Sequence, residues 1–164
     1  MNFVAGFLLL MSGGNEEESF HFLVNLLTTS KEVPEMSGLR GLYKTGFPLL
    51  AKYSAIFDKA FAKELSSVHG HFTEAGIPPL LWLTKWIQTL SLYSFSFATC
   101  IRVWDYILST GSMYILKFAL AVIESLEEKL LAMDLIGIND CLNSLSQTRI
   151  EERLLARACI FDLY

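Results

Sequence analysis

The chain has 164 residues, of which 52% are hydrophobic and 18% are charged, and its formal net charge is −4. This length suits one domain, residues 1–164, with a sizeable core, and the composition is more apolar than that of an average soluble domain. The acidic balance argues against a nucleic-acid partner, which needs a basic surface, and Lys and Arg form no cluster that would bind an anionic membrane.

The apolar stretches are too short to predict a transmembrane segment. A spanning helix needs about 20 apolar residues, whereas the longest charge-free windows are Met1–Asn15 and Trp86–Ile101. Phe3–Met11 also resembles the apolar core of a secretory signal. No basic residue precedes it, so a buried helix is the favoured interpretation and a targeting segment the minor alternative.

The first two predicted elements are helices. Met1–Leu10 is apolar on every side, which is typical of a helix buried deep in a larger fold. Asn15 provides a capping side chain, and Glu16–Glu18 places carboxylates at the positive end of the next helix dipole. This second helix is predicted to end at about Thr29, and Pro34 marks the loop after it.

Proline and glycine punctuate the central part of the chain. Pro48 begins a helix that is predicted to end near His69–Gly70, with an apolar stripe at Leu50, Tyr53, Phe57, Ala60 and Phe61. Pro78 and Pro79 open another helix, whose apolar residues recur at Trp82, Trp86 and Leu90. A further helix stops at Gly111 and carries the apolar residues Ile101, Trp104, Ile107 and Leu108.

The C-terminal part is also helical. Ser112–Met133 is predicted as one helix, and a short helix follows over Asp134–Ser144, with its first residue as the cap. Thr148 and Glu151 have the spacing of a capping box for a last helix over Ile150–Leu163. The predicted fold class is therefore all-α, an irregular array of about seven to eight helices.

The chain contains no recognisable enzyme motif. It has no glycine-rich phosphate loop, no serine nucleophile elbow and no H-E-x-x-H pair. His69 and His71 are two residues apart, so on a helix they point to nearly opposite sides, and neither a metal site nor a cofactor is predicted. The three cysteines are expected to be reduced and to act as small core residues: Cys100, Cys141 and Cys159.

Arg102 is the one residue that suggests a catalytic role, because an isolated arginine on a helix could act as a transition-state finger. However, Asp105 lies three residues later, within reach of a helical ion pair. An anchored Arg102 beside Trp104 is therefore predicted to hold its helix in place. Trp82 and Trp86 are interpreted as core residues rather than as a ligand cage, since apolar residues flank them in register.

Several segments share the order and spacing of one family. The most specific is the Arg-Val-Trp-Asp block at 102–105, followed by Gly111. The others are Met1–Leu10 with Asn2 and Gly6, Glu16–Leu23, Gly41–Tyr43 with Leu49–Leu50, Gly76–Pro79, and Trp86. Together they resemble the C-terminal half of the TBC domain, the helical Rab GTPase-activating fold, to about Leu145. Ser91, Ser96 and Trp82 depart from the family's pattern, at packing positions.

The resemblance implies a Rab-type GTPase partner, a role in vesicle traffic and a cytoplasmic location at the periphery of endomembranes. The family's two catalytic side chains belong to an I-x-x-D-x-x-R motif and a Y-x-Q motif, and neither occurs in residues 1–164. We therefore expect no catalytic residue here and no enzyme activity, but a scaffold and GTPase-binding half. The alternative is a finger-less TBC-like interaction module. Either way, the apolar first helix predicts self-association.

Overall fold

The structure, a computed structural model, describes residues 1–28, 38–147 and 150–164. Within these ranges it contains no strand, which confirms the all-α class, and the helices outnumber the predicted seven to eight. The ten α-helices are α1 (Asn2–Met11), α2 (Glu16–Leu27), α3 (Pro48–Glu64), α4 (Ser66–Glu74), α5 (Leu80–Gln88), α6 (Phe97–Thr110), α7 (Tyr114–Ser125), α8 (Glu127–Leu131), α9 (Leu135–Asn143) and α10 (Glu152–Ala158). Leu39–Leu42 and Leu145–Gln147 form short 3-10 helices.

The larger count arises because two predicted helices are each divided in two. The helix predicted to run to His69–Gly70 ends instead at Glu64, and Leu65 adopts a non-helical backbone (φ −131°, ψ 53°). This bend folds α4 back so that the rings of Phe61 and Phe72 pack at 5.6 Å. The helix predicted over Ser112–Met133 is interrupted at Leu126, after which Leu130 of α8 becomes fully buried.

Three helix ends agree with the predicted capping and stop signals. The Asn15 side-chain oxygen accepts a hydrogen bond from the backbone N–H of Glu18 at 3.1 Å. The carboxylate of Asp134 accepts one from the N–H of Gly137 at 2.9 Å. α6 ends at Gly111, whose φ of 102° favours a residue without a Cβ.

Two predicted signals, Pro34 and Thr148, lie outside the described residues. The last helix is shorter than the predicted Ile150–Leu163, since it starts at Glu152 and stops at Ala158. The chain then leaves the helix, and two apolar side chains of the final segment pack into the core: Phe161 and Leu163.

The centre of the fold is α7, which is apolar except for Lys117 and its last two residues, Glu124 and Ser125. Nine of its residues are buried, and α3, α5, α6 and α10 pack around it. A largely apolar sequence is expected of such a central helix. Buried apolar side chains from α1 to the C-terminal segment join it in one cluster.

A chain of aromatic rings, the aromatic core, crosses this cluster. It consists of Phe61, Phe57, Trp82, Trp86, Phe95 and Phe118, with successive ring centroids 4.9 to 5.5 Å apart. Edge-to-face packing at such distances is favourable beyond the burial of apolar area. The structure thus confirms that Trp82 and Trp86 are core residues.

Among the described residues, no helix is both long enough and apolar enough to cross a bilayer.

Candidate functional site

The first helix is packed on one side only. Val4, Phe7 and Leu8 of α1 are buried, while Phe3 and Leu10 are 49% and 69% exposed. The prediction of burial in a larger fold therefore holds for one face of α1 in the described structure. The other face is open to solvent.

The open side of α1 continues across α2 and α6. We call this surface the α1 face, and its exposed members are Phe3, Leu10, Met11, Phe22, Tyr93, Phe97 and Leu108. The ring of Phe3 packs edge-on against Tyr93 at 5.3 Å, and Phe7 packs against Phe97 at 5.9 Å and Trp104 at 4.6 Å. Phe3, Phe7 and Met11 are four residues apart, so they share one side of the helix, where Phe7 is buried and Phe3 and Met11 at its two ends are exposed.

A groove of about 210 Å³ runs between α1, α2 and α6 within this face. Its apolar lining is Phe7, Leu8, Met11, Phe22, Ile101, Trp104 and Leu108, and its polar lining is Ser12, Glu18, Ser19 and Asp105. The hydroxyls of Ser12 and Ser19 hydrogen-bond to each other at 2.7 Å, which leaves two carboxylates as the charged rim. An exposed apolar surface with a polar rim is typical of a protein-interaction site.

Trp104 joins this face to the interior. Its indole N–H donates to the backbone oxygen of Leu90 at 3.2 Å, and the thiol of Cys100 donates to the oxygen of Ser91 at 3.5 Å. Leu90 and Ser91 both have positive φ, 48° and 70°, a conformation that costs about 1 to 3 kcal/mol for residues other than glycine. These two bonds from α6 therefore help to hold a strained turn after α5.

Arg102 lies on the solvent side of the same helix, between two carboxylates. It donates to Asp105 at 3.0 Å and makes two hydrogen bonds to Glu152 of α10, at 2.8 and 3.3 Å. The hydroxyl of Tyr106 donates to the same Glu152 at 3.4 Å. The predicted Arg102–Asp105 ion pair is present, and Arg102 also connects α6 to α10.

These contacts stabilise the charged forms of both partners. The hydrogen bonds with Glu152 raise the pKa of the Arg102 guanidinium, and the same bonds lower the pKa of the Glu152 carboxyl. An arginine finger has to extend into a neighbouring active site. In this structure the Arg102 guanidinium is instead bound by side chains of its own chain.

The other predicted motif residues differ in their exposure to solvent. Trp86 is 1% exposed in the aromatic core. Asn2 and Gly6 are on the exposed part of α1, and a Cβ added to Gly6 would meet no atom within 4 Å. The structure therefore brings Trp104 and Asp105 together with α1 at one face. Arg102 binds Asp105 but faces α10, and Trp86 belongs to the interior.

No group of three potential metal ligands occurs among the described residues. His69 and His71 have ordinary partners, since His69 contacts the carboxylate of Asp58 at 3.3 Å and His71 contacts the backbone oxygen of Met133 at 2.9 Å.

The cysteines differ from one another. Cys100 and Cys141 are free and buried, as predicted, and burial raises the pKa of the Cys100 thiol to about 11. The prediction of a core position is wrong for Cys159. This residue follows the last residue of α10 and is exposed to solvent.

Sequence reasoning missed Glu152 and the strained turn at Leu90–Ser91. Glu152 is 50 residues from Arg102, and no local spacing pairs them. The turn carries neither glycine nor proline, the usual signals of an unusual backbone. The departure noted at Ser91 was the only sign in the sequence that this position is unusual.

The described helices form an all-α domain whose α1 face is apolar and exposed. The chain belongs to the Rab-GTPase-TBC domain family, since the family's model matches residues 1–131. This match ends before Leu145, the limit of the resemblance found in the sequence, whereas alignments with individual relatives cover up to 95% of the chain.

Two relatives from different organisms illustrate the similarity. The chain is 29% identical over 154 residues to "TBC1 domain family member 12" of Xenopus tropicalis, which covers 94% of this chain and 21% of that protein. It is 30% identical over 133 residues to "GTPase-activating protein GYP5" of Saccharomyces cerevisiae, covering 81% of this chain and 14% of that protein. The chain thus spans about a fifth or less of the length of these relatives.

Proposed function

We propose that this chain serves as the scaffold and GTPase-binding part of a Rab GTPase-activating domain, and that it acts in vesicle traffic on the cytoplasmic side of membranes. The α1 face carries this proposal, because it is an apolar, partly grooved surface with two carboxylates at its rim. Family membership supports a Rab-type GTPase as the partner. The absence of the I-x-x-D-x-x-R and Y-x-Q motifs from residues 1–164 supports a binding role rather than a catalytic one.

The second candidate is a finger-less interaction module that binds a GTPase or another protein without accelerating hydrolysis. Arg102 is held by Asp105 and Glu152, so it is not free to act as an arginine finger. This observation agrees with both candidates equally. The transcript upstream of Met1 distinguishes the two. An in-frame tyrosine-x-glutamine there supports the scaffold of a complete activator, and unrelated sequence supports the module.

Two measurements test the binding role. In the first, GTP-loaded Rab proteins are titrated with the 164-residue chain in a biosensor assay. We expect saturable binding that Leu10→Glu weakens by about tenfold, since a charge would be buried in an apolar contact. Ile136→Glu is the matched control, because Ile136 of α9 is equally exposed at 67% and is outside the α1 face.

In the second, single-turnover GTP hydrolysis is followed with the same proteins, and full-length yeast GYP5 serves as the positive control. We expect no acceleration by this chain. Stimulation that disappears in Arg102→Ala would overturn the proposal and our interpretation of Arg102, whereas absence of any Rab binding would overturn the GTPase-binding role alone.

A further inference from the structure

The turn between α5 and α6 is strained at two adjacent residues. Leu90 and Ser91 have φ values of 48° and 70°, both are buried, and neither is glycine. Such a conformation persists only where the surrounding structure enforces it, and it is frequent at binding sites, where it holds a contact residue in place before the ligand arrives. The side chains that this turn positions are therefore candidates for a functional role.

The turn directs two aromatic side chains to different parts of the molecule. The ring of Phe95 enters the aromatic core, where it packs 4.9 Å from Trp86. The ring of Tyr93 instead reaches the α1 face and is 52% exposed. The conformation of the turn thus sets where Tyr93 lies on the α1 face.

Hydrogen bonds hold the backbone of the turn around Tyr93. The N–H of Tyr93 donates to the side-chain oxygen of Thr89 at 3.3 Å. The indole N–H of Trp104 donates to the backbone oxygen of Leu90, within the strained pair, at 3.2 Å. Since Trp104 also lines the groove between α1, α2 and α6, it connects the α1 face to the turn that carries Tyr93.

The ring of Tyr93 has two further neighbours. Phe3 of α1 packs edge-on against it at 5.3 Å, and the ammonium of Lys85 lies 5.0 Å from its centroid. The same ammonium donates to the side-chain oxygen of Asn143 at 3.0 Å. A ring held in this way loses little conformational freedom on binding, and tyrosine is one of the residues that most often dominate a protein interface.

We propose that Tyr93 is an anchor residue of the α1 face, covered by the partner on binding, and that Trp104 is a positioning residue that keeps Tyr93 in place through the Leu90 carbonyl. This role rests on the proposed function, since the partner is the Rab-type GTPase proposed there. The strain at Leu90 and Ser91 lowers the stability of the chain, and in return it fixes Tyr93 before the GTPase binds.

The test of the anchor measures the affinity of the 164-residue chain for the Rab protein that binds it most tightly in the biosensor titration. Tyr93→Ala should weaken binding by about tenfold or more, whereas Tyr93→Phe, which keeps the ring, should stay within about threefold of the parent chain. Tyr164→Ala is the matched control, because Tyr164 is an 82% exposed tyrosine outside the α1 face. Circular dichroism shows whether each variant is folded.

A second set of variants tests the positioning role of Trp104. Trp104→Phe removes the indole donor but keeps an aromatic ring, and it should weaken binding by about fivefold because the turn that carries Tyr93 loosens. Glycine adopts positive φ without strain, so a chain with Ser91→Gly depends less on the indole bond. In that background Trp104→Phe should weaken binding by less than about twofold, whereas a direct contact between Trp104 and the GTPase would give the same loss in both backgrounds.

The possible results separate the anchor from the proposed function. If the parent chain binds none of the Rab proteins, both are overturned. If the parent chain binds and Tyr93→Ala binds equally well, the anchor is overturned and the GTPase-binding role stands. An equal loss for Trp104→Phe with and without Ser91→Gly would overturn the positioning role of Trp104.

Discussion

The aromatic core and the α1 face have similar side chains and similar ring contacts, yet very different exposure. Rings in the core are 4.9 to 5.5 Å apart, and Trp86 is 1% exposed. On the α1 face, Phe3 packs against Tyr93 at 5.3 Å, but the two are 49% and 52% exposed. The rings of the core are covered by other side chains on all sides, whereas the rings of the α1 face are covered on one side only. A ring contact alone therefore does not predict how much a residue stabilises the fold.

The largest effect expected from this comparison is that of Trp86→Ala. The substitution removes a ring that packs against both Trp82 and Phe95, and leaves a cavity at the centre of the fold. We expect a loss of about 3 to 5 kcal/mol in the free energy of unfolding, measured by urea titration followed by circular dichroism.

Phe20→Ala is the control for this experiment. Phe20 of α2 is 63% exposed, so its removal should change the free energy of unfolding by less than about 0.5 kcal/mol. Similar losses for Trp86→Ala and Phe20→Ala would mean that burial does not separate the two regions.

The second effect concerns association instead of stability. An open apolar surface is expected to bring copies of the chain together, so the isolated chain should form oligomers in light scattering. Leu10→Glu should shift the population toward monomer and leave the free energy of unfolding within about 0.5 kcal/mol of the parent value, because Leu10 is 69% exposed. Ile136→Glu, at an equally exposed position on α9, should leave the oligomers in place.

A clean monomer of the parent chain would contradict this prediction. It would mean that the α1 face does not associate in water despite its composition.

Helix starts were predictable wherever a local signal fixes them. Asn15 and Asp134 accept the hydrogen bonds expected of capping residues, and Pro48 opens α3. The helix breaks at Leu65 and Leu126 could not be predicted, because leucine is a good helix former and neither break is marked by glycine or proline. The helices that follow these breaks, α4 and α8, pack against each other although they are distant in the sequence.

The candidate sites follow the same rule. The i, i+3 spacing correctly predicted the pair between Arg102 and Asp105, since both partners lie on one helix. The bond from Arg102 to Glu152 and the groove between α1, α2 and α6 depend on how separate helices meet. The periodicity of residue types in a sequence indicates which residues share one face of a helix. It does not indicate which other helix packs against that face.

The smallest predicted effect is the pH dependence of the contact between α6 and α10. The hydrogen bonds from Arg102 lower the pKa of the Glu152 carboxyl, so the folded chain binds a proton there less readily than the unfolded chain. The stabilisation from this pair is complete above the ordinary pKa of glutamate and is lost as the pH falls through the lower pKa of the folded state. Carboxyl carbon NMR should give Glu152 a titration midpoint below the ordinary glutamate value, and Arg102→Gln should raise it.

This pair also shows what the core contributes to α10. Both Arg102 and Glu152 are exposed to solvent, which screens their attraction, whereas Leu155 and Ala158 of α10 are buried against the core. Arg102→Gln should therefore lower the thermal unfolding midpoint less than Trp86→Ala does, and α10 should keep its amide shifts. If α10 detaches in Arg102→Gln at neutral pH, the ion pair rather than apolar burial holds this helix in place.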